Sequence, residues 1–197
     1  MIVAVDSSTL TLMINPSARP PIDPSTGLPL LYAKERVETL IAGLSPDDTL
    51  IVGTPVLAEI IVQAGIAATD IISMIDEMAR VKIVPFDRRA AFEVAFMTSA
   101  AIANGDKKAG VDQPWAKVKY DRQIIAIARV AGATKLYTDD IKMAQFSEKT
   151  GLDTFSTWEL EIPEQVETLF SRAGVSIDHS DSDLSNVVAL PDRKSES

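Results

Sequence analysis

Short apolar runs alternate with longer amphipathic stretches along this chain. Residues 2–5, Ile-Val-Ala-Val, form an apolar run that stops at Asp6-Ser7-Ser8, the pattern of a strand buried on both faces. Residues 15–29 hold Pro16, Pro20, Pro21, Pro24 and Pro29, five of the eleven prolines, and read as an irregular loop or insertion. A helix is expected over 30–44 and a strand over 49–52. The next helix opens at Thr54-Pro55, with a capping hydroxyl and a proline suited to the first helical position. There follow a helix over 69–80, a strand over 81–84, a helix from the capping Asp87 to about 103, and a polar loop over 104–114. A helix over 117–131 is stopped by Gly132, and a strand over 135–138 runs into Asp139-Asp140. A short helix to about 149, a strand over 152–155 and a helix over 163–170 complete the series.

Strands that alternate with helices imply a parallel sheet covered on both faces, because each parallel crossover lays a helix on the sheet. The expected fold is therefore a three-layer α/β/α domain over residues 1–170, with a flexible polar tail over 171–197. The 197 residues, 46% hydrophobic, suffice for one sizeable core and show no internal repeat. No uninterrupted apolar run of about 18 residues is present to cross a bilayer, and the N-terminus lacks the features of a secretory signal. A cytoplasmic protein with no membrane role is expected.

Composition narrows the chemistry. Cysteine is absent, and the one histidine, His179, falls in the tail. Disulfides, thiolate zinc sites and cysteine nucleophiles are excluded, so a metal would have to be held by oxygen, which favours Mg²⁺ or Mn²⁺. The net charge of −9 speaks against broad adhesion to polyanions. The tail, with three basic and five acidic residues, explains little of it, and a cluster of carboxylates in the folded part would explain more.

Open parallel sheets bind ligands at the carboxyl ends of their strands, and two acidic spots fall there: Asp6, and the pair Asp139-Asp140. Two further acids interrupt apolar stripes. Asp121 is in line with Ile124, Ile125 and Ala128, and Glu59 lies within Val56-Leu57-Ala58-Glu59-Ile60-Ile61-Val62 with no basic residue three or four positions away. A buried, unpaired carboxylate costs several kcal/mol, so each of these calls for a cation.

An early strand ending in Asp, a Thr-Pro-Val-Leu-Ala-Glu-Ile helix start, an Asp-x-x-Ile-x-Ala-x-Ala helix and a Leu-x-Thr-x-Asp strand end together resemble the PIN domain over roughly residues 1–155. That family includes the ribonuclease toxins of toxin-antitoxin pairs and RNA-processing nucleases. The resemblance implies Asp6, Glu59, Asp121 and Asp140 as the acidic residues of a metal-dependent endoribonuclease, with Asp139, the near-equivalent neighbour of Asp140, left open as a further ligand. On this reading they hold one or two Mg²⁺ or Mn²⁺ ions, Thr138 orients a carboxylate or water, and no side-chain nucleophile is needed. It also implies an RNA substrate and brings the prospects of a homodimer and an antitoxin-like protein partner. The chain departs from the pattern in its long stretch between Asp6 and Glu59, in Met143 where the family has an aromatic, and in its tail; these bear on the toxin subclass more than on the fold.

Lys107, Lys108, Lys117, Lys119 and Arg122, with Trp115 and Tyr120 among them, are candidate substrate contacts, although acids are interleaved with them. Each acid also has a plainer role open to it. Asp6 and Asp139 or Asp140 would serve as helix caps, Glu59 would reach solvent, and Asp121 would pair with Lys117 or Arg122. An aspartyl-phosphate phosphatase is excluded by Ser8 where a second Asp is needed, and no phosphate-cradling Gly-x-x-x-x-Gly-Lys occurs. The rival is the same fold without useful turnover, as an RNA-binding or protein-interaction module.

Overall fold

Five parallel strands form one sheet in the order β3-β2-β1-β4-β5, with helices flanking it in the expected α/β/α arrangement. The computed structural model describes residues 1–163, so the expected helix over 163–170, the tail and His179 lie outside the described residues, Pro163 apart. The strands are β1 (Ile2–Val5), β2 (Thr49–Gly53), β3 (Val81–Val84), β4 (Lys135–Tyr137) and β5 (Asp153–Phe155). The helices are α1 (Ser7–Ile14), α2 (Ala33–Ala42), α3 (Thr54–Ala64), α4 (Ala68–Glu77), α5 (Arg88–Ala103), α6 (Trp115–Val130) and α7 (Ile141–Glu148).

The central strands are apolar throughout because both faces are covered: Val3, Val5, Leu50 and Val52 on one face and Ala4, Ile51 and Leu136 on the other are all buried in one core that also takes in Ile125 and Ile127 of α6. Gly53, where β2 passes into α3, is needed for closeness. A Cβ there would stand 3.0 Å from Ile127 Cδ1, closer than ordinary contact, so the tip of that side chain would have to give by a few tenths of an ångström to admit any larger residue. Gly132, past the end of α6, has φ +79, the left-handed turn that ends the helix as expected.

Helix α1 is implied by a capping role for Asp6, but its own sequence pattern does not delimit it. Its Ser-Ser-Thr-Leu-Thr-Leu-Met-Ile sequence alternates hydroxyl and apolar residues much as a strand would, and eight residues carry little helical periodicity. Burial of Leu10, Leu12 and Ile14 and the cap provided by Asp6 decide for helix. The start of α3 also differs: Gly53 is the cap residue, and the Thr54 hydroxyl instead accepts the Phe86 N–H at 3.0 Å. The proline-rich segment is irregular as expected, pinned by one antiparallel bridge between Ile22 and Pro29.

By length and composition Thr54–Glu77 would suffice to cross a bilayer, with 11% of its apolar window buried. In the fold it is α3, a 3₁₀ turn at Gly65–Ala67 and α4, broken where Gly65 takes φ +55.

Candidate active site

The site follows from the register of the two central strands. Val5 of β1 lies opposite Tyr137 of β4, so Asp6 and Thr138 leave the sheet side by side at its carboxyl edge. The chain builds β2 and β3 on one side of β1 and β4 and β5 on the other, which makes this the switch point where a parallel sheet opens a crevice. Helix α6 carries the chain back to the amino end of β4, so its first turns also stand at the carboxyl edge. There the Tyr120 hydroxyl donates to the carbonyl of Pro55, fastening α6 to the start of α3.

A cleft of about 350 Å³ results, lined by Asp6, Glu59, Asp121, Asp139 and Asp140, with Ser8 and Lys117 among its walls. The five acids picked out in the sequence are thus brought to one place, each held differently.

Asp6 is 5% exposed and caps α1. Its Oδ1 accepts the Ser8 hydroxyl at 2.7 Å and the Thr9 N–H at 3.0 Å, and its Oδ2 accepts the Thr138 hydroxyl. Burial pushes its pKa up to about 6, against the pull of those three hydrogen bonds and with some help from the charge of Asp139.

Asp121 is buried with Ile124, Ile125 and Ala128, as its place on the apolar stripe predicts. Burial holds its pKa above the ordinary value even though Lys117 lies 3.1 Å from Oδ1; the nearby charges of Asp140 and Glu59 act in the same direction as burial.

Glu59 is not buried as its surroundings suggest. On α3 the covered side carries Val56 and Ile60, Val62 is 81% exposed, and Glu59 sits half-buried at the cleft rim, accepting from Gln63 at 3.3 Å.

The adjacent acids divide their work. Asp139 turns both oxygens to Thr157, one accepting the N–H at 2.7 Å and the other the hydroxyl at 2.9 Å; burial raises its pKa despite them. Asp140 caps α7 through Oδ1, from the N–H groups of Lys142 at 2.9 Å and Met143 at 3.0 Å, and turns Oδ2 to Lys117 at 2.6 Å. Burial would raise the pKa of Asp140, but Lys117 and the α7 amides outweigh it and hold it low. The capping roles foreseen for Asp6 and Asp140 are therefore real, and both residues line the cleft as well.

Among the described residues no three acids stand together as a formed metal site. The donor set nevertheless fits a hard divalent cation: it is all carboxylate oxygen, and the ammonium of Lys117 already stands as a cation between Asp121 and Asp140. Ser8 and Thr157, which orient Asp6 and Asp139, escaped the sequence reading. The Asp-x-Ser spacing at 6–8 was its only local signal.

Of the candidate substrate contacts, Arg122 is the one the structure withdraws into the interior. Arg122 is fully buried, donating to Thr98 Oγ1 at 3.0 Å and to the Lys107 carbonyl at 2.7 Å, with its guanidinium over the rings of Trp115 and Phe146. Lys107 sits over Trp115 at 5.1 Å, and Lys108 donates to the Gln113 carbonyl at 3.0 Å. These groups brace the 104–114 loop, and Trp115 is already covered by cations, so neither Arg122 nor Trp115 is free for a substrate. Lys119 is exposed and Lys117 lines the cleft. A basic residue outside that group reaches the site: Arg19 of the proline-rich insertion, with Pro21, lines an adjoining hollow of about 310 Å³ that shares Ser7, Ser8, Glu59 and Asp139 with the cleft.

A parallel α/β domain with an acidic cleft at its switch point is the class this geometry defines. No protein-family model matches the chain, and no curated protein matches it. Solved structures do. A chain of VapBC2 from Rickettsia felis, bound to a DNA fragment from the promoter, aligns with a TM-score of 0.54 at 16% identity, over 79% of this chain and 98% of that one. A chain of VapBC-1 from nontypeable Haemophilus influenzae gives 0.53 at 16% identity, covering 80% and 98%. A chain of FitAB bound to an IR36 DNA fragment gives 0.52 at 19% identity, covering 82% and 99%. The fold is PIN-type, as the ordered set of acids implies, and is shared with these solved structures.

Proposed function

We propose that the chain is a cytoplasmic, metal-dependent endoribonuclease. The observation that carries this reading is the convergence of Asp6, Glu59, Asp121, Asp139 and Asp140 on one open cleft at the carboxyl edge of β1 and β4. Five acids against one lysine give that cleft an excess of negative charge, which repels a phosphodiester unless a cation is added. Mg²⁺ or Mn²⁺ held there would supply charge neutralisation at the scissile phosphate and activation of water for in-line attack.

The protein groups divide into binding and orienting roles. Asp121, Asp140 and Glu59 all line the cleft and would hold the ion. Asp6, fixed by Ser8, Thr9 and Thr138, presents its carboxylate from the sheet edge, and its raised pKa suits it to take up a proton as well as to ligate. Of the adjacent pair, Asp140 is the better ligand, because its Oδ2 already meets a cation while Asp139 is engaged with Thr157. The hollow walled by Arg19 extends the cleft toward the insertion, so residues 15–29 restrict which RNA enters. On the same reading this chain takes an antitoxin-like protein partner and pairs as a homodimer, in keeping with its likeness to the VapBC and FitAB structures.

The rival is a fold-alike without turnover that binds RNA or protein. Its support is the position of Lys117, which fills the place between Asp121 and Asp140. Incubation with labelled single-stranded and structured RNA in Mn²⁺ or Mg²⁺, beside Asp121→Asn and a chelator control, separates the two. Cleavage that is lost in the variant and in chelator is the expected result; RNA bound but uncut with either metal leaves the rival standing.

A further inference from the structure

Lys117 lies in the first turn of α6, beginning at Trp115, where the exposed N–H groups make the helix end positive. A cation there is disfavoured by the helix itself, typically by about 0.3–1 kcal/mol. Its pairing with Asp121, lysine four residues before the acid, is also the less favourable order along a helix. Neither local effect explains the ammonium's position.

What explains it is the cleft. The Nζ is 2.6 Å from Asp140 Oδ2 and 3.1 Å from Asp121 Oδ1, joining an acid that begins α7 to one on α6. The Lys117 side chain is 46% exposed, while those of Asp121 and Asp140 are 9% and 22% exposed. The carboxylates are therefore fixed and sheltered, whereas the ammonium rides on a flexible stem reaching in from solvent. Asp121 is in the α6 stripe and cannot turn away, and Asp140 is tied by two amides. The lysine is the part able to leave.

We propose that Lys117 is an internal counter-ion of the cleft that competes with a divalent cation for Asp121 and Asp140. This deepens the metal reading above and rests on it. Without metal, the ammonium neutralises part of the carboxylate charge and keeps the site assembled. Entry of the ion requires the two N–H···O contacts to break and the stem to swing outward, with no covalent change. Once displaced, the ammonium stands at the mouth of the cleft, where a substrate phosphate is its natural new partner. The lysine thus sets the metal affinity and links metal entry to phosphate binding. Lys117 is a positioning residue in this scheme.

The test is calorimetric titration of the full chain with MnCl₂, for wild type and for Lys117→Met, Lys117→Gln and Lys117→Arg, at one pH and salt, with melting in chelator alongside. Removing a competing unit charge from within 4 Å of the ligands should tighten Mn²⁺ binding on the order of tenfold in the Met and Gln proteins. Lys117→Arg, which keeps the charge, should bind no tighter than wild type. Both neutral variants should melt below wild type in chelator and gain more from Mn²⁺, an inversion that a purely structural lysine would not give. Equal or weaker Mn²⁺ binding by the Met and Gln proteins, with wild type still binding, overturns this inference alone. Absence of Mn²⁺ binding in wild type and variants alike overturns it together with the metal reading.

Discussion

Replacing Asp6 by Asn isolates the cost of keeping a charge in the base of the cleft. The carboxyl is raised from 3.8 to about 6, and at 5% exposure the shift needs little discount for solvent screening. Two pKa units and a little more correspond to roughly 3 kcal/mol at 1.36 kcal/mol per unit. The sign follows from proton uptake. Between about pH 4 and pH 6 the folded protein holds a proton on Asp6 that the unfolded chain has lost, so stability falls as pH rises through that window and the loss is complete above it. Asn is the neutral isostere. Its oxygen can keep the Ser8 and Thr9 bonds, and its NH₂ can donate to Thr138 Oγ1, whose hydroxyl then turns to Met143 Sδ, 3.9 Å away. Thermal melts in chelator should show the two proteins nearly equal at pH 4. At pH 7.5 Asp6→Asn should be up to about 3 kcal/mol more stable, about 6–12 °C in Tm for a domain of this size. Mn²⁺ at pH 7.5 should shrink or reverse the gap, because it binds the native carboxylate and stabilises wild type by mass action. A gap that stays constant from pH 4 to 7.5, or a variant that melts below wild type at pH 7.5 in chelator, refutes the reasoning.

Other substitutions separate scaffold from site. Arg122→Lys should cost about 2 kcal/mol or more in urea unfolding, since an ammonium cannot span Thr98 and the Lys107 carbonyl or lie flat on Trp115 and Phe146; RNA affinity per folded molecule should not change, and a loss of affinity at wild-type stability would return Arg122 to the substrate. Arg19→Gln should weaken binding of single-stranded RNA in Ca²⁺ and lower the slope of log affinity against log salt by about 0.7, the share of one phosphate contact, with Mn²⁺ affinity unchanged; an unaltered slope removes Arg19 from the substrate path. Deleting residues 17–28 should broaden cleavage preference, and an unchanged product pattern would deny the insertion its selective role.

The sheet was legible because its strands are buried on both faces: runs such as Ile-Val-Ala-Val and Val-Lys-Ile-Val, spaced by helices, leave little choice but a parallel α/β layer. Asp6, Asp139 and Asp140 were legible as acids at the carboxyl ends of strands, where a parallel sheet binds ligands, and Asp121 as a charge on an apolar stripe, costly without a partner. Local pattern misled where surroundings decide. Helix α1 looks like neither element until Asp6 caps it and the core closes over Leu10, and Glu59 sits among apolar residues whose own neighbours, Val62 foremost, face solvent. Basic residues were the least readable. Lys117, Lys119 and Arg122 lie within six positions on one helix, yet the first neutralises the cleft, the second faces solvent and the third is sealed in the interior. Sequence by itself determined which residues must avoid water and in what order the elements come. Which charge meets which, and so whether a lysine binds substrate, braces a loop or guards a metal site, depends on contacts between segments far apart along the chain, and only the tertiary structure decides those.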